Sequence, residues 1–318
     1  MFNQFTSPFK LARKGIMGMN QRNTGYISRY NPRKLYPLVD NKLKTKIIAQ
    51  RDNVTIPALI GVVRTQHDIQ SIIPLLQKHS GFVIKPAKGS GGKGILVITK
   101  QESGVFFKPS GAPTHEEDVK RHCSNILAGL FSLGGSPDVA VIEALIEFDA
   151  CFEGFSFEGV PDVRVIVFQG YPVMAMMRLS TAASDGKANL HQGAVGVGID
   201  IGTGQALHAV QFDRPIEKHP DTDRPLKELV VPHWQRLLEL ASSCYEMSGM
   251  GYLGTDMVLD KSNGPMLLEL NARPGLAIQI ANGEGILPRL KLVEQQISEG
   301  IARTADERVE FSKKEFSR

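Results

Sequence analysis

Residues 81–100 read GFVIKPAKGSGGKGILVITK. Two β-type runs, Phe82 to Lys85 and Ile95 to Thr99, flank a loop carrying Gly89, Gly91, Gly92 and Gly94 together with Lys88 and Lys93. Gly89, Gly91 and Gly94 satisfy GxGxxG, but in a dinucleotide-binding unit the third glycine opens a helix, and here the apolar, β-branched ILVITK predicts a strand. A Walker A loop ends in GK[ST], whereas Lys93 is followed by Gly94, so that nucleotide site is disfavoured as well. What remains is a glycine flap between two strands, whose N–H groups can close over phosphates because no side chain blocks their approach. Protein kinases use such a flap, but neither HRD nor DFG occurs downstream. A plain hairpin turn would not need so many glycines and lysines together.

Upstream of the flap, an amphipathic helix is predicted from Asp40 to Arg51, then an apolar segment from Ile56 to Val63 and a helix from Asp68 to Gln77. Downstream, the pattern gives a helix from Glu116 to Leu130, a strand from Val139 to Ile146, and the hairpin VRVIVFQ and YPVMAMMRL across Gly170. A Gly-rich polar stretch, Ser184 to Gly204, precedes a helix from Leu226 to Met247 and the paired strands GYLGTDMVLD and PMLLELN. Helices with mostly antiparallel hairpins indicate an α+β architecture.

The 318 residues are 42% hydrophobic and 22% charged, enough for two or three packed lobes. The formal charge is +4, and Arg13, Lys14, Arg22, Arg29, Arg33, Lys34, Lys42, Lys44 and Lys46 concentrate it near the start. Such a patch suits a polyanion, and ATP is one; no nucleic-acid module is recognisable, so nucleic acid is not expected. Cys123, Cys151 and Cys244 form no CxxC, arguing against a disulfide framework or zinc site. With no signal-peptide core and no apolar run long enough for a membrane span, a soluble cytoplasmic protein is expected.

In PMLLELNARPG, Glu269 and Asn271 stand two apart on a strand and so share a face. Folding the hairpin about Lys261 to Gly264 sets Asp256 opposite Glu269. Two carboxylates facing each other need a positive charge between them, and this hard oxygen set suits Mg²⁺ or Mn²⁺.

These blocks together resemble the ATP-grasp superfamily, specifically its RimK-like α-L-glutamate ligases, over about Asp40 to Gly285. The blocks in order are the lysine-bearing helix before TIPALIGVV, the flap, VIEALIE, PDVRVIV, KANLHQGA, and GTDMVLD with LLELNARPGL. The resemblance implies an ATP-grasp fold, two α+β lobes clasping ATP between antiparallel sheets. It implies that Lys42, Lys85 and the flap glycines contact the ATP phosphates, that Glu143 and Ala144 line the adenine, and that Asp162 binds the ribose. Lys187 and Asn189 would lie near the phosphates, and Asp256, Glu269 and Asn271 would hold two divalent ions. Arg164, Arg178 and Arg273 are the candidates for holding an acyl phosphate or a substrate carboxylate. The implied reaction joins an amino acid, glutamate in that branch, to an unidentified acceptor carboxylate. Phosphoryl transfer without ligation and a non-catalytic ATP-binding module are the alternatives, and a homo-oligomer is left open.

Two departures stand out. The stretch from Glu143 to Asp162 is longer than the family pattern, and residues 1–36 are too few for the α/β domain that usually precedes the ATP-grasp lobes. The expected organisation is a basic, irregular extension over 1–36, ATP-grasp lobes over 37–300 (a helical part at 37–80, a flap-bearing lobe at 81–146, a metal-binding lobe at 147–300), and a polar tail over 301–318. The extension is expected either to complete the substrate site through its arginines or to pack over the first helix through Phe5, Phe9 and Leu11.

Overall fold

The computed structural model describes residues 6–89, 91–102 and 104–318; Phe5, and Ser90 within the flap, lie outside them. Its contacts divide the chain into two compact units, one of Asp40–Ile47 with Ile56–Glu147, the other of Met1–Val39, Ile48–Thr55 and Phe148–Arg318. Among the described residues no helix is long and apolar enough to cross a membrane.

The flap-bearing unit contains β1 (Leu59–Val63), β2 (Phe82–Pro86), β3 (Leu96–Ile98), β4 (Lys100–Glu102), β5 (Val105–Phe107), β6 (Pro113–Thr114) and β7 (Ala140–Ala144). Four of them form an antiparallel sheet in the order β1-β7-β2-β3, and β4-β5-β6 form a smaller one. Phe82 and Ile84 alternate along β2 and bury fully against Ile69, Ile72, Ile73 and Leu76 of the helix Gln66–Leu76. That i, i+3, i+4, i+7 spacing is the core face of a helix, and each such side chain contributes about 1.5–3 kcal/mol by leaving water. Thr65 and Asp68 cap its start reciprocally.

Between β2 and β3 the flap turns through Gly91, Gly92 and Gly94, at φ of +63°, +75° and +75°. The first two face open space, whereas a Cβ on Gly94 would lie 2.4 Å from the Phe131 ring. Glycine is therefore needed at Gly94 for space as well as for backbone conformation.

The other unit is built on β8 (Asp162–Phe168), β9 (Tyr171–Leu179), β10 (Val195–Ile199), β11 (Ala206–Gln211), β12 (Arg214–Pro215), β13 (Tyr252–Asp260) and β14 (Gly264–Asn271). They form one sheet in the order β12-β11-β10-β9-β8-β13-β14, each neighbouring pair antiparallel. Gln169 and Gly170, both at positive φ, make the two-residue turn between β8 and β9.

Four sequence expectations change. The polar stretch after Ser184 contains β10, whose Gly196 and Gly198 give up side chains because the helix Ala277–Asn282 runs close over them: a Cβ on Gly198 would meet the Ala281 carbonyl at 2.5 Å. The helix expected from Leu226 begins at Trp234, after Pro232 has interrupted the run. The tail over 301–318 holds a helix, Ala305–Phe316, that buries Arg308, Val309, Ser312 and Phe316. Finally, the N-terminal extension is largely helical and buries Met17, Tyr26 and Ile27; Phe9 and Leu11, expected as packing residues, are exposed.

Gly94→Ala is expected to cost about 2–4 kcal/mol, combining the left-handed backbone penalty with overpacking against Phe131, while Gly91→Ala costs only the first, about 1–2 kcal/mol. Urea denaturation of the two variants against the parent measures the difference, and equal costs would remove the role given to Phe131.

Candidate active site

The sheet register sets the chemistry of the larger unit. Asp162 and Arg164 stand two apart on β8; Arg178 of β9 lies opposite Asp162, and Asp256 of β13 lies opposite Arg164. On its other side Asp256 faces Glu269 of β14, and a bulge follows between Asp256 and Met257. Alternating charges thus meet across neighbouring strands.

The contacts are direct. Arg164 forks onto Asp256, with Nη2 donating to Oδ2 at 2.6 Å and Nε to Oδ1. Arg178 forks onto Asp162, with Nε donating to Oδ1 at 2.6 Å, and its Nη2 also reaches Asp256 Oδ2 at 2.9 Å. All four side chains are nearly buried. Burial pushes both carboxyls up, but the Arg164 and Arg178 guanidiniums overcome it at Asp256 and hold that group below the usual carboxylate range. At Asp162 burial prevails over Arg178, and the nearby Asp256 charge adds to the rise.

Asn271, two residues beyond Glu269, accepts a hydrogen bond from the Arg273 N–H at 2.8 Å through Oδ1, and the Arg273 guanidinium lies 5.0 Å over the Tyr36 ring. Lys187 is exposed and pairs with Asp185 at 2.9 Å, and Asn189 caps a short turn by accepting from the His191 N–H at 3.1 Å. Both serve the local loop in this structure.

In the flap-bearing unit a second charge cluster was not foreseen. Glu143, expected at the adenine, accepts from Lys85 Nζ at 2.6 Å and lies 3.1 Å from Lys46 Nζ, all three side chains being buried. Lys46 also donates to the Pro57 carbonyl at 2.7 Å. Two ammonium groups share one carboxylate, so the cluster carries a surplus positive charge when both are protonated. Burial, against the pull of Glu143 and with help from the Lys85 charge, lowers the Lys46 pKa to about 8. The Ala144 N–H donates to the Ala58 carbonyl. Lys42 Nζ donates to the Gly89 carbonyl at 2.7 Å, at the root of the flap. That root is also pinned by Asp138, which accepts from the Lys88 and Val139 N–H groups and the Ser132 hydroxyl. Asp138 and Lys46 are the residues that sequence reasoning missed; the DNKLKTK spacing, with Lys42 and Lys46 one helical turn apart, was the available signal for the second.

The donor set can be tested against a divalent ion. Among the described residues no three His, Cys, Asp or Glu side chains form a metal-binding group. Asp256, Glu269 and the Asn271 amide are hard oxygen donors, of the kind that suits Mg²⁺ shared with phosphate oxygens rather than a closed protein cage. The residues fit an ion of that type.

A family model for sugar-transfer associated ATP-grasp proteins matches residues 21–295. The chain belongs to the sugar-transfer associated ATP-grasp family. Its α+β antiparallel architecture is the ATP-grasp fold. Comparison with curated proteins gives no match. Among solved structures, this ATP-grasp chain is similar to D-alanyl-alanine synthetase A from Vibrio cholerae O1 biovar eltor, with 10% identity and a TM-score of 0.49, covering 90% of this chain and 67% of that one. It is similar to biotin carboxylase from Campylobacter jejuni, with 15% identity and a TM-score of 0.49, covering 91% and 52% respectively. It is also similar to the ATP-grasp ligase PsnB in complex with a minimal precursor, with 13% identity and a TM-score of 0.45, covering 86% of this chain; the chain spans 63% of the length of PsnB.

Asp256→Asn leaves two buried guanidiniums facing a neutral group and is expected to destabilise the protein by about 3–5 kcal/mol, whereas Glu269→Gln, at a half-buried position on the sheet's edge strand, costs less. Thermal or urea melts of both check this, and equal stability of the two would contradict the fork geometry. A pH test follows from Lys46. Its folded pKa lies below its unfolded value, so between about 8 and 10.5 the unfolded chain binds the extra proton, and stability from this group rises with pH across that window. Lys46→Met should flatten that rise relative to the parent in denaturation series across the window.

Proposed function

We propose that this protein is an ATP- and Mg²⁺-dependent ligase that activates a carboxylate as an acyl phosphate and transfers it to an amine. The observation that carries this reading is the pair of charge clusters of opposite character. In the flap-bearing unit, Lys46 and Lys85 share the single carboxylate Glu143, and an added anion relieves their mutual repulsion. In the larger unit, Asp162 and Asp256 align two guanidiniums and Asp256 faces Glu269 across the strand pair, a row of hard carboxylate oxygens of the kind that suits a divalent cation.

On this reading Lys42, Lys85 and the backbone of Gly89, Gly91, Gly92 and Gly94 hold the triphosphate of ATP. Glu143 fixes the Lys85 ammonium in place, so that Lys85 rather than the flap lysines Lys88 and Lys93 sets nucleotide affinity. Asp256, Glu269 and Asn271 hold the divalent ions, which neutralise charge on the transferring phosphoryl group when bound. Arg164 and Arg178, already aligned by Asp256 and Asp162, present their remaining N–H groups to the acyl phosphate, and their fixed geometry supplies stabilisation without reorganisation. Catalysis is then positioning and electrostatics, with the amine losing its proton to water or a carboxylate.

The likeness of NLHQG and ELNARPG to glutamate ligases supports an amino acid as the amine donor, glutamate first among them. The family's association with sugar transfer supports including carboxylated sugars among the acceptors. The deciding experiment is ADP release over a panel of amino acids against peptide and sugar carboxylates, with mass spectrometry of the products. An amide product whose formation needs Mg²⁺ and is reduced at least about 100-fold in Glu269→Gln supports ligation. ADP with a phosphorylated substrate and no amide would identify a phosphotransferase instead, and absence of Mg²⁺-dependent nucleotide turnover across the panel would count against both. Lys85→Ala should raise the ATP concentration needed by about tenfold or more, with Lys88→Ala and Lys93→Ala near the parent.

A further inference from the structure

The N-terminal segment fastens the loop that follows Asn271. Asn31 is 2% exposed and makes three hydrogen bonds: its Nδ2 donates to the Tyr252 carbonyl at 2.7 Å and the Ala272 carbonyl at 3.0 Å, and its Oδ1 accepts from the Tyr252 N–H at 2.8 Å. Tyr36 lies under the Arg273 guanidinium. Arg22 Nη1 donates to the Pro274 carbonyl at 3.0 Å. Gln279 closes the stretch by accepting from the Met17 N–H at 2.8 Å and donating to the Met17 carbonyl at 3.1 Å. Four holds between Ala272 and Gln279 thus come from one segment, which includes a π-helical turn at Arg22–Ile27, an uncommon winding that recurs at functional sites.

The held loop bears on the charge row through Gly254. A Cβ at Gly254 would lie 2.9 Å from Pro274 Cβ and 3.2 Å from Arg164 Cδ. The absent side chain therefore lets the Pro274 ring and the Arg164 stem lie side by side over β13, and Arg164 forks from there onto Asp256. In register, Gly254 stands opposite Asn271. Pro274 is thus covalently continuous with the Asn271–Arg273 turn and shares with the Arg164 stem the space left open over Gly254.

We propose that Met17–Tyr36 is a positioning element of the active site, acting through Asn31, Arg22 and Tyr36 to set Asn271 and the Arg164–Asp256 fork for a divalent ion with bound nucleotide. The inference rests on the metal role proposed above for Asp256 and Asn271. Two of the arginines expected to grip a substrate carboxylate have protein partners instead: Arg22 is committed to Pro274 and Asn23, and Arg29 lies over Tyr30 and faces Glu294.

The test is thermal stabilisation by ATP with and without Mg²⁺, which reads ion binding without turnover. Arg22→Ala is expected to shift the unliganded Tm by less than about 3 °C, to leave stabilisation by ATP in EDTA unchanged, and to raise the Mg²⁺ concentration for half-maximal stabilisation by about tenfold, the usual effect of losing an outer partner of a metal ligand. Arg22→Lys, which keeps the donor, should restore most of it, and Arg29→Ala should behave as the parent. Gly254→Ala, pressing on Pro274 and Arg164 from beneath, should repeat the Arg22→Ala result, and Asn31→Ala should exceed it if the variant folds; Arg22→Ala decides the matter if it does not. An unchanged Mg²⁺ requirement in Arg22→Ala and Gly254→Ala overturns the positioning role while leaving the proposed function standing. A parent protein with no Mg²⁺-dependent stabilisation by ATP overturns both.

Discussion

Asp256 is a carboxylate held on the face of a sheet where water scarcely reaches it, and much of the larger unit follows from the need to neutralise it. An isolated ion in that position would cost several kcal/mol or more, and the group would take a proton instead. Two guanidiniums prevent this, Arg164 from the neighbouring strand and Arg178 from the strand beyond. That requirement places β8 and β9 beside β13, fixes their register, and asks for glycine at Gly254 so that the Arg164 stem can lie flat. Asp162 is brought in by the same demand, since Arg178 reaches two strands at once and needs a carboxylate on each.

The flap-bearing unit solves a smaller problem of the opposite sign. One carboxylate, Glu143, serves two lysines, so the arrangement is complete as a structure but under-neutralised as an electrostatic system. Stability and function pull differently here: a second carboxylate would quieten the cluster, and it would also remove its attraction for a polyanion. The flap above it is fixed at its root by Asp138 and Lys42 and free of tight contact at Gly91 and Gly92.

What could be read in the sequence was what local chemistry writes there. The glycine flap, the two hairpins around Gly170 and Lys261 to Gly264, and the Asp256 and Glu269 pairing follow from period-2 alternation and turn residues. β10 escaped because its glycines answer to a helix passing overhead, which no local pattern records. The helix Ala305–Phe316 escaped because two of its buried residues, Arg308 and Ser312, are polar, and Arg308 is buried by pairing with Glu246, 62 positions earlier in the chain. The partners of the candidate site were the least legible part. The resemblance points to Glu143 for the adenine and to Arg164 for an acyl phosphate or carboxylate, but nothing local in the sequence pairs Glu143 with Lys46, nearly a hundred positions earlier, or Arg164 with Asp256.

The division of the chain has a bearing on how the protein is made. The flap-bearing unit is encoded within residues 40–147, so its partners emerge from the ribosome close together in time. The N-terminal segment has no such fortune: Asn31, Arg22 and Met17 wait for partners 221 to 262 positions later. The aromatic rings of Tyr26 and Tyr30, which stack on each other, likewise meet Phe168 and Tyr252 only once those distant residues have been made. Closing so long a loop is slow even when its end state is favourable. Docking of the stretch therefore cannot be completed until residues 252–279 have been made.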